Sequence, residues 1–122
     1  MSTPILKHGR TLLVSLQAEP TDAEFISLQK ELAERVGATH ARGVVVDVTA
    51  LSVLDSFATR TLREIAQTVR LRGARVVVVG IQPDVAFAMA QLGLSLDDTL
   101  TALDLEDGLA LLYQSSAGER GS

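Results

Sequence analysis

The sequence predicts an α/β domain: a mostly parallel mixed sheet that follows an N-terminal hairpin and is covered by about four helices. Three observations predict it. The runs Val44-Val45-Val46 and Val76-Val77-Val78-Val79 fit strands buried on both faces. Each run is followed by a segment whose apolar residues recur at helical spacing, so strand and helix alternate with right-handed crossovers. Hydrophobic residues make up 47% of the 122 residues and aromatics 3%, so the core must be aliphatic and come from packed layers. That length supports one core and is too short for two full domains.

The elements follow in order. Ile5-Leu6-Lys7 and Thr11 to Gln17 read as two strands joined by the polar connection His8-Gly9-Arg10, which suits an antiparallel hairpin. Thr21-Asp22-Ala23-Glu24 has the spacing of a capping box, and Phe25, Leu28, Leu32 and Val36 then mark a helix that ends before Gly37. The strand from Gly43 meets water at Asp47 and Thr49. After Asp55-Ser56, the stripe Ala58, Leu62, Ile65, Ala66 and Val69 predicts a helix that stops near Gly73. Arg75 to Val79 is the second buried strand, broken by Gly80. Pro83 and Asp84 open a short helix through Ala90, with Phe87-Ala88-Met89 assigned to the core. Thr99 to Leu103 fits a last strand, and Asp104 caps a final helix through Leu112 despite Gly108. Residues 1–114 form the domain, and the small polar stretch 115–122 is expected to be a flexible tail.

Composition narrows the function classes. A net charge of −4 removes the broad attraction that nucleic acid or an anionic membrane surface would require. There is no cysteine, hence no disulfide framework or thiolate nucleophile, and His8 and His40 lack metal-ligand spacing. No apolar run approaches the roughly 18 residues of a membrane span, and Met1-Ser2-Thr3-Pro4 does not open a signal peptide. The expected compartment is the cytoplasm. Ser56 sits in Asp-Ser-Phe-Ala rather than a Gly-x-Ser-x-Gly elbow, and Gly80-Ile81-Gln82-Pro83 lacks the lysine and hydroxyl of a P-loop. Asp97-Asp98 and the group Asp104, Glu106 and Asp107 read as turns, caps and solvated surface rather than cation ligands. No cofactor, metal or catalytic residue is expected.

One segment carries a functional signal. A hydroxyl at a helix start lies among unpaired backbone N–H groups and the positive end of the helix dipole, which favour a phosphate. Ser56 after Asp55 fits that description, although Ser and Asp are also the common capping residues and the segment by itself reads first as an ordinary capped helix. Asp47 is either a border of a binding surface or a strand-end acid bonded to nearby backbone, and Phe57 is either a partner anchor or a core ring. An Asp47 phospho-acceptor of receiver type is the α/β competitor, without the acidic pair and lysine it would need for Mg²⁺ and phosphoryl transfer.

From Ile5 to Leu112 the chain resembles the STAS family, which includes anti-sigma factor antagonists and stressosome scaffolds. The resemblance rests on Pro4-Ile5-Leu6-Lys7, Leu12-Leu13-Val14-Ser15, Val45-Val46-Asp47-Val48-Thr49, Asp55-Ser56-Phe57, Gly80-Ile81-Gln82-Pro83 and the stretch Ala102-Leu103-Asp104-Leu105-Glu106-Asp107-Gly108-Leu109. Within the family it is similar to the RsbS-type scaffolds. Many free antagonists carry Asp-Ser-Ser-Gly at the switch, whereas this chain has Asp55-Ser56-Phe57-Ala58, and RsbR-type scaffolds usually carry threonine where Val79 stands. Val79 has no hydroxyl to modify.

The resemblance implies a non-catalytic scaffold in homo- and hetero-oligomers with RsbR-type STAS proteins. It implies that the unmodified domain holds an RsbT-type serine/threonine kinase, and that phosphorylation of Ser56 releases it into a stress-response pathway. Asp47, Thr49, Asp55, Phe57 and Thr59 would form the switch surface around Ser56. The alternative within the family is a free antagonist that binds an anti-sigma kinase.

Overall fold

The computed structural model describes the backbone of residues 3–121 and the side chains of residues 3–114. Expectations about Met1, Ser2 and Ser122 lie outside the described residues, and those about the tail 115–122 lie outside the described side chains. The elements run β1 (Ile5–His8), β2 (Thr11–Ser15), α1 (Asp22–Thr39), β3 (Gly43–Asp47), α2 (Ser56–Leu71), β4 (Arg75–Val79), α3 (Pro83–Gln91), β5 (Leu100–Ala102) and α4 (Leu105–Gly121). They build one five-stranded sheet in the order β1-β2-β3-β4-β5, with β1 antiparallel to β2 and every other pair parallel. The expected α/β fold, with its opening hairpin and parallel remainder, is the one observed.

Register assigns the two faces. Val14, Val46 and Val78 align across β2, β3 and β4 and share a core with Phe25, Leu28, Leu32 and Val36 of α1, Leu62, Ile65 and Val69 of α2, and Val85 and Met89 of α3. One residue along, Val45, Val77 and Val79 point the other way and pack with Leu112 of α4. The valine strands are thus buried on both faces, as their uninterrupted apolar character requires. Each such side chain contributes about 1.5–3 kcal/mol relative to an exposed one.

Local signals account for most boundaries. Thr21 caps α1 in a complete capping box: its hydroxyl accepts from Glu24 N–H at 3.1 Å while Glu24 Oε1 accepts from Thr21 N–H at 2.9 Å. Strand β2 stops at Ser15, two residues short of expectation, and Leu16 continues only a single bond, its N–H donating to Asp47 C=O at 3.0 Å.

Three features depart from the expected boundaries and burial. Helix α1 runs through Gly37 to Thr39 and ends at His40, whose φ is 55°. A Cβ on Gly37 would lie 2.8 Å from Arg72 Nη1, so this glycine makes room for an arginine after α2 instead of stopping its own helix. Helix α4 continues past Leu112 to Gly121. Phe87-Ala88-Met89 is divided by the helical period: Met89 is buried, whereas Phe87 is 66% exposed and does not join the core. No described helix is long and apolar enough to cross a membrane.

Candidate functional site

The site lies at the C-terminal ends of the parallel strands, where the β3–α2 connection is held from three sides. At its start Val48 N–H donates to Val79 C=O at 2.9 Å, extending the ladder by one bond. Asp47 Oδ1 accepts from the backbone N–H of Thr49 at 2.9 Å and from its hydroxyl at 2.5 Å, so the strand-end acid folds the chain into the loop. From the β4–α3 loop, Gln82 Nε2 donates to Thr49 C=O at 2.5 Å. From the β2–α1 loop, Glu19 Oε1 accepts from Ser52 N–H at 2.8 Å and Ser52 Oγ at 2.5 Å. These donors, the Ser52 hydroxyl foremost, hold the Glu19 carboxyl below its ordinary pKa of 4.5.

Two leucines anchor the same loop from beneath. Leu51 and Leu54 are buried in the main core, while Ser52, Val53, Asp55 and Ser56 face solvent. Alternation of inserted and outward residues thus leaves the exposed serine on a constrained segment. Asp55 is the N-cap of α2, its Oδ1 accepting from Ala58 N–H at 2.8 Å. Ser56 is the first helical residue, where the N–H groups of the first turn have no partners within the helix.

The other residues singled out in the sequence divide by burial. Asp47 is half-buried and Thr49 exposed. Phe57 is half-buried against the core, with the Arg60 guanidinium carbon 5.6 Å from its ring centroid. Thr59 corrects the sequence reading. Expected at the switch surface, it lies on the inward stripe of α2 at 2% exposure, and its hydroxyl has no hydrogen-bond partner among the described residues. Val79, at the position compared with a family threonine, is fully buried in β4.

Topology also separates chemistry that sequence alone left open. His8 pairs with Thr11 at the beginning of β2, and His40 precedes the beginning of β3, whereas Ser56 follows the far end of β3. The length of a five-residue strand, roughly 16 Å, stands between them, so neither histidine serves Ser56 as a base. Asp47 Oδ1 already accepts two bonds from Thr49, an arrangement that fits a loop clamp better than a phosphoryl acceptor. Among the described residues no group of three or more His, Asp or Glu could hold a metal ion.

Sequence reasoning read Gly80 as a strand break and Gln82 as part of a family motif but missed their contacts with the β3–α2 loop, as it missed Glu19 and Ser52 as its partner. Gly80 has φ 81°, and a Cβ there would collide with the Thr49 hydroxyl. A glycine directly after a buried strand was the available signal for that position. Nothing local signals Glu19 or Gln82, because each acts on a loop 33 residues away.

Comparison with known proteins agrees with this geometry. The STAS domain family model matches residues 3–107. Over 110 residues the chain is 27% identical to the RsbT co-antagonist protein RsbRA of Bacillus subtilis (strain 168), an alignment covering 89% of this chain and 40% of that protein. It therefore spans about two-fifths of the length of that relative. A variant of RsbS from Moorella thermoacetica superposes with a TM-score of 0.79 at 36% identity, covering 94% of this chain and 97% of that one. A chain from the molecular architecture of the stressosome, a signal integration and transduction hub, gives a TM-score of 0.75 at 36% identity, covering 93% and 98%. With the family model matched over most of its length and the five-stranded fold shared with these structures, the chain belongs to the STAS domain family.

Proposed function

We propose that this chain is a non-catalytic scaffold of a cytoplasmic stressosome that retains an RsbT-type kinase together with RsbR-type STAS proteins and releases it when Ser56 is phosphorylated. The observation that carries the reading is the exposed Ser56 hydroxyl at the first position of α2, on a loop clamped by Asp47, Glu19 and Gln82. Its similarity to Moorella thermoacetica RsbS over nearly the whole of both chains supports the scaffold role.

The physics of the switch is electrostatic. Phosphoserine brings a charge of roughly −1.5 to −2 and three strong acceptor oxygens. On this domain those oxygens meet helix N-terminal N–H groups, so the fold tolerates them. On a partner pressed against the same surface they bring repulsion beside Asp55 and a desolvation penalty. Breaking one charged, well-packed contact costs on the order of 2–5 kcal/mol, more than a tenfold loss of affinity without refolding either protein.

The test is intact-mass and peptide mapping after incubation with an RsbT-type kinase, ATP and Mg²⁺, with Ser56→Ala alongside. One phosphate on Ser56, absent from the variant, is the expected result. Modification elsewhere, or none while the kinase phosphorylates another scaffold, overturns the assignment. Binding instead to an anti-sigma kinase that holds a sigma factor would move the chain to the free antagonists.

A further inference from the structure

We propose that Arg60 is the intramolecular partner of a phosphate on Ser56: its guanidinium leaves the Phe57 ring and closes on the phosphoryl oxygens, a role that rests on the reading of Ser56 as the phosphorylated residue.

Ser56 and Arg60 are both exposed and stand four residues apart on α2. Side chains at that spacing are stacked neighbours, with Cβ atoms about 5–6 Å apart, and the pair is favourable when the anion is the N-terminal member. Helical side chains lean toward the N-terminus, which carries a long one back over the preceding turn. Arg60 has that lean: its guanidinium carbon lies 5.6 Å from the ring centroid of Phe57, the residue next to Ser56. Phe57 is half-buried against the core, so the ring is held and the exposed guanidinium is the member of the pair that can move.

The charges around this turn leave the task to Arg60. Arg63, the next exposed arginine of α2, starts roughly 10 Å along the helix axis from Ser56, outside the range of a helical neighbour pair. Asp55 is committed to the Ala58 N–H at 2.8 Å, and in the adjoining connections Asp47 and Glu19 are bonded to Thr49 and Ser52. Glu64, one turn beyond Arg60 and exposed, is the acid that competes for the guanidinium. Phosphoserine outweighs it, with nearly twice the charge and three acceptor oxygens, two of which a guanidinium engages at once. The ring face offers only its quadrupole, a weaker partner at an exposed site than a charge-assisted pair. Phosphorylation therefore changes this surface twice, adding an anion at Ser56 and taking the cation off Phe57.

The test uses the full chain with phosphoserine incorporated at Ser56 during translation. No kinase is involved, so failure here is separable from failure of the kinase reading. A phosphorus NMR titration gives the affinity of the phosphate for its second proton. Arg60→Gln is expected to raise that affinity about twofold, the effect of losing one helical ion pair. Arg60→Lys, which keeps the charge and loses the planar fork, should fall between Arg60→Gln and the parent. Arg63→Gln removes the same charge one turn further away and should stay close to the parent. Proton–nitrogen NMR of the same samples follows the Arg60 Nε–H signal, which should lose its ring-current shift when Ser56 carries phosphate. Phe57→Leu in the unmodified chain defines the unshifted position, and the backbone amide spectrum of each sample reports its fold. Equal proton affinities in the parent and Arg60→Gln overturn the proposal. So does an equally large effect of Arg63→Gln, or an Arg60 signal that keeps its ring shift in the phosphorylated chain.

Discussion

The Thr49 hydroxyl stands where a side chain on Gly80 would have to go, so the β3–α2 loop and the β4–α3 loop meet with no atom to spare. Asp47 Oδ1 holds that hydroxyl from one side, and Gln82 holds the Thr49 carbonyl from the other. The serine at the start of α2 is therefore positioned by residues from three connections, and a change in any of them should be felt there.

Gly80→Ala is expected to lower stability by at least about 2 kcal/mol, from the left-handed backbone penalty and from overpacking against Thr49. Adding Thr49→Ala removes the collision and leaves the φ of 81°. The double variant should therefore recover part of the loss and not all of it. Denaturant unfolding of the four proteins of this cycle measures the coupling, and simple additivity would show that the two loops are not packed as described.

Gly108 and Val79 set two local rules against each other. Helix propensity alone makes Gly108→Ala stabilising by about 1 kcal/mol. In the fold, a Cβ on Gly108 would lie 2.6 Å from Val79 Cγ1 and 3.3 Å from Val77 Cγ1, both fully buried side chains of β4. Packing should win, with a net loss of about 1–3 kcal/mol. Val79→Ala in the Gly108→Ala background should narrow that loss, and a stabilised single variant would mean that α4 does not approach the sheet so closely.

How much of this was legible in sequence follows from interaction range. The capping box at Thr21 and Glu24, the Asp55 cap and the valine strands depend on residues within a few positions of one another, and each was readable. The meaning of Gly37, Gly80 and Gly108 depends on what another element brings to them. Their partners Arg72, Thr49 and Val79 lie 29 or more positions away in sequence and become neighbours only once the sheet order is known. Thr59 and Phe87 were misjudged for a related reason. A threonine near a helix start and a phenylalanine in an apolar run point by chemistry to surface and core, but the helix phase turns them the opposite way.

The Glu19 carboxylate should give the loop clamp a measurable pH dependence. Its pKa is lowered on folding, so the unfolded chain binds the proton more readily, and the stabilisation is present above about 4.5 and lost as pH falls through the lower folded value. Glu24, lowered by the Thr21 N–H and hydroxyl, works in the same direction at the start of α1. Glu19→Gln is expected to unfold at a lower denaturant concentration than wild type at pH 7, with the two midpoints drawing together as the pH falls below the ordinary carboxylate range. A gap unchanged across that range would show that the charge of Glu19 is not what holds Ser52.

Asp55 and Ser56 are adjacent, yet they should separate cleanly into a structural role and a signalling one. Asp55 accepts the Ala58 N–H bond, so Asp55→Ala leaves an N-terminal donor without its cap and should cost about 1 kcal/mol. Ser56 is exposed at the next position, where alanine is a good helix former, so Ser56→Ala should move stability by no more than about 0.5 kcal/mol. Kinase retention should show the reverse ordering when phosphorylation is possible. Ser56→Ala should keep the kinase bound in the presence of ATP, while wild type releases it. Ser56→Glu should weaken retention less than phosphate does, because a carboxylate carries less charge and fewer acceptor oxygens. If Ser56→Ala were as destabilising as Asp55→Ala, the hydroxyl would be part of the fold, and its position at the helix start would no longer support a switch.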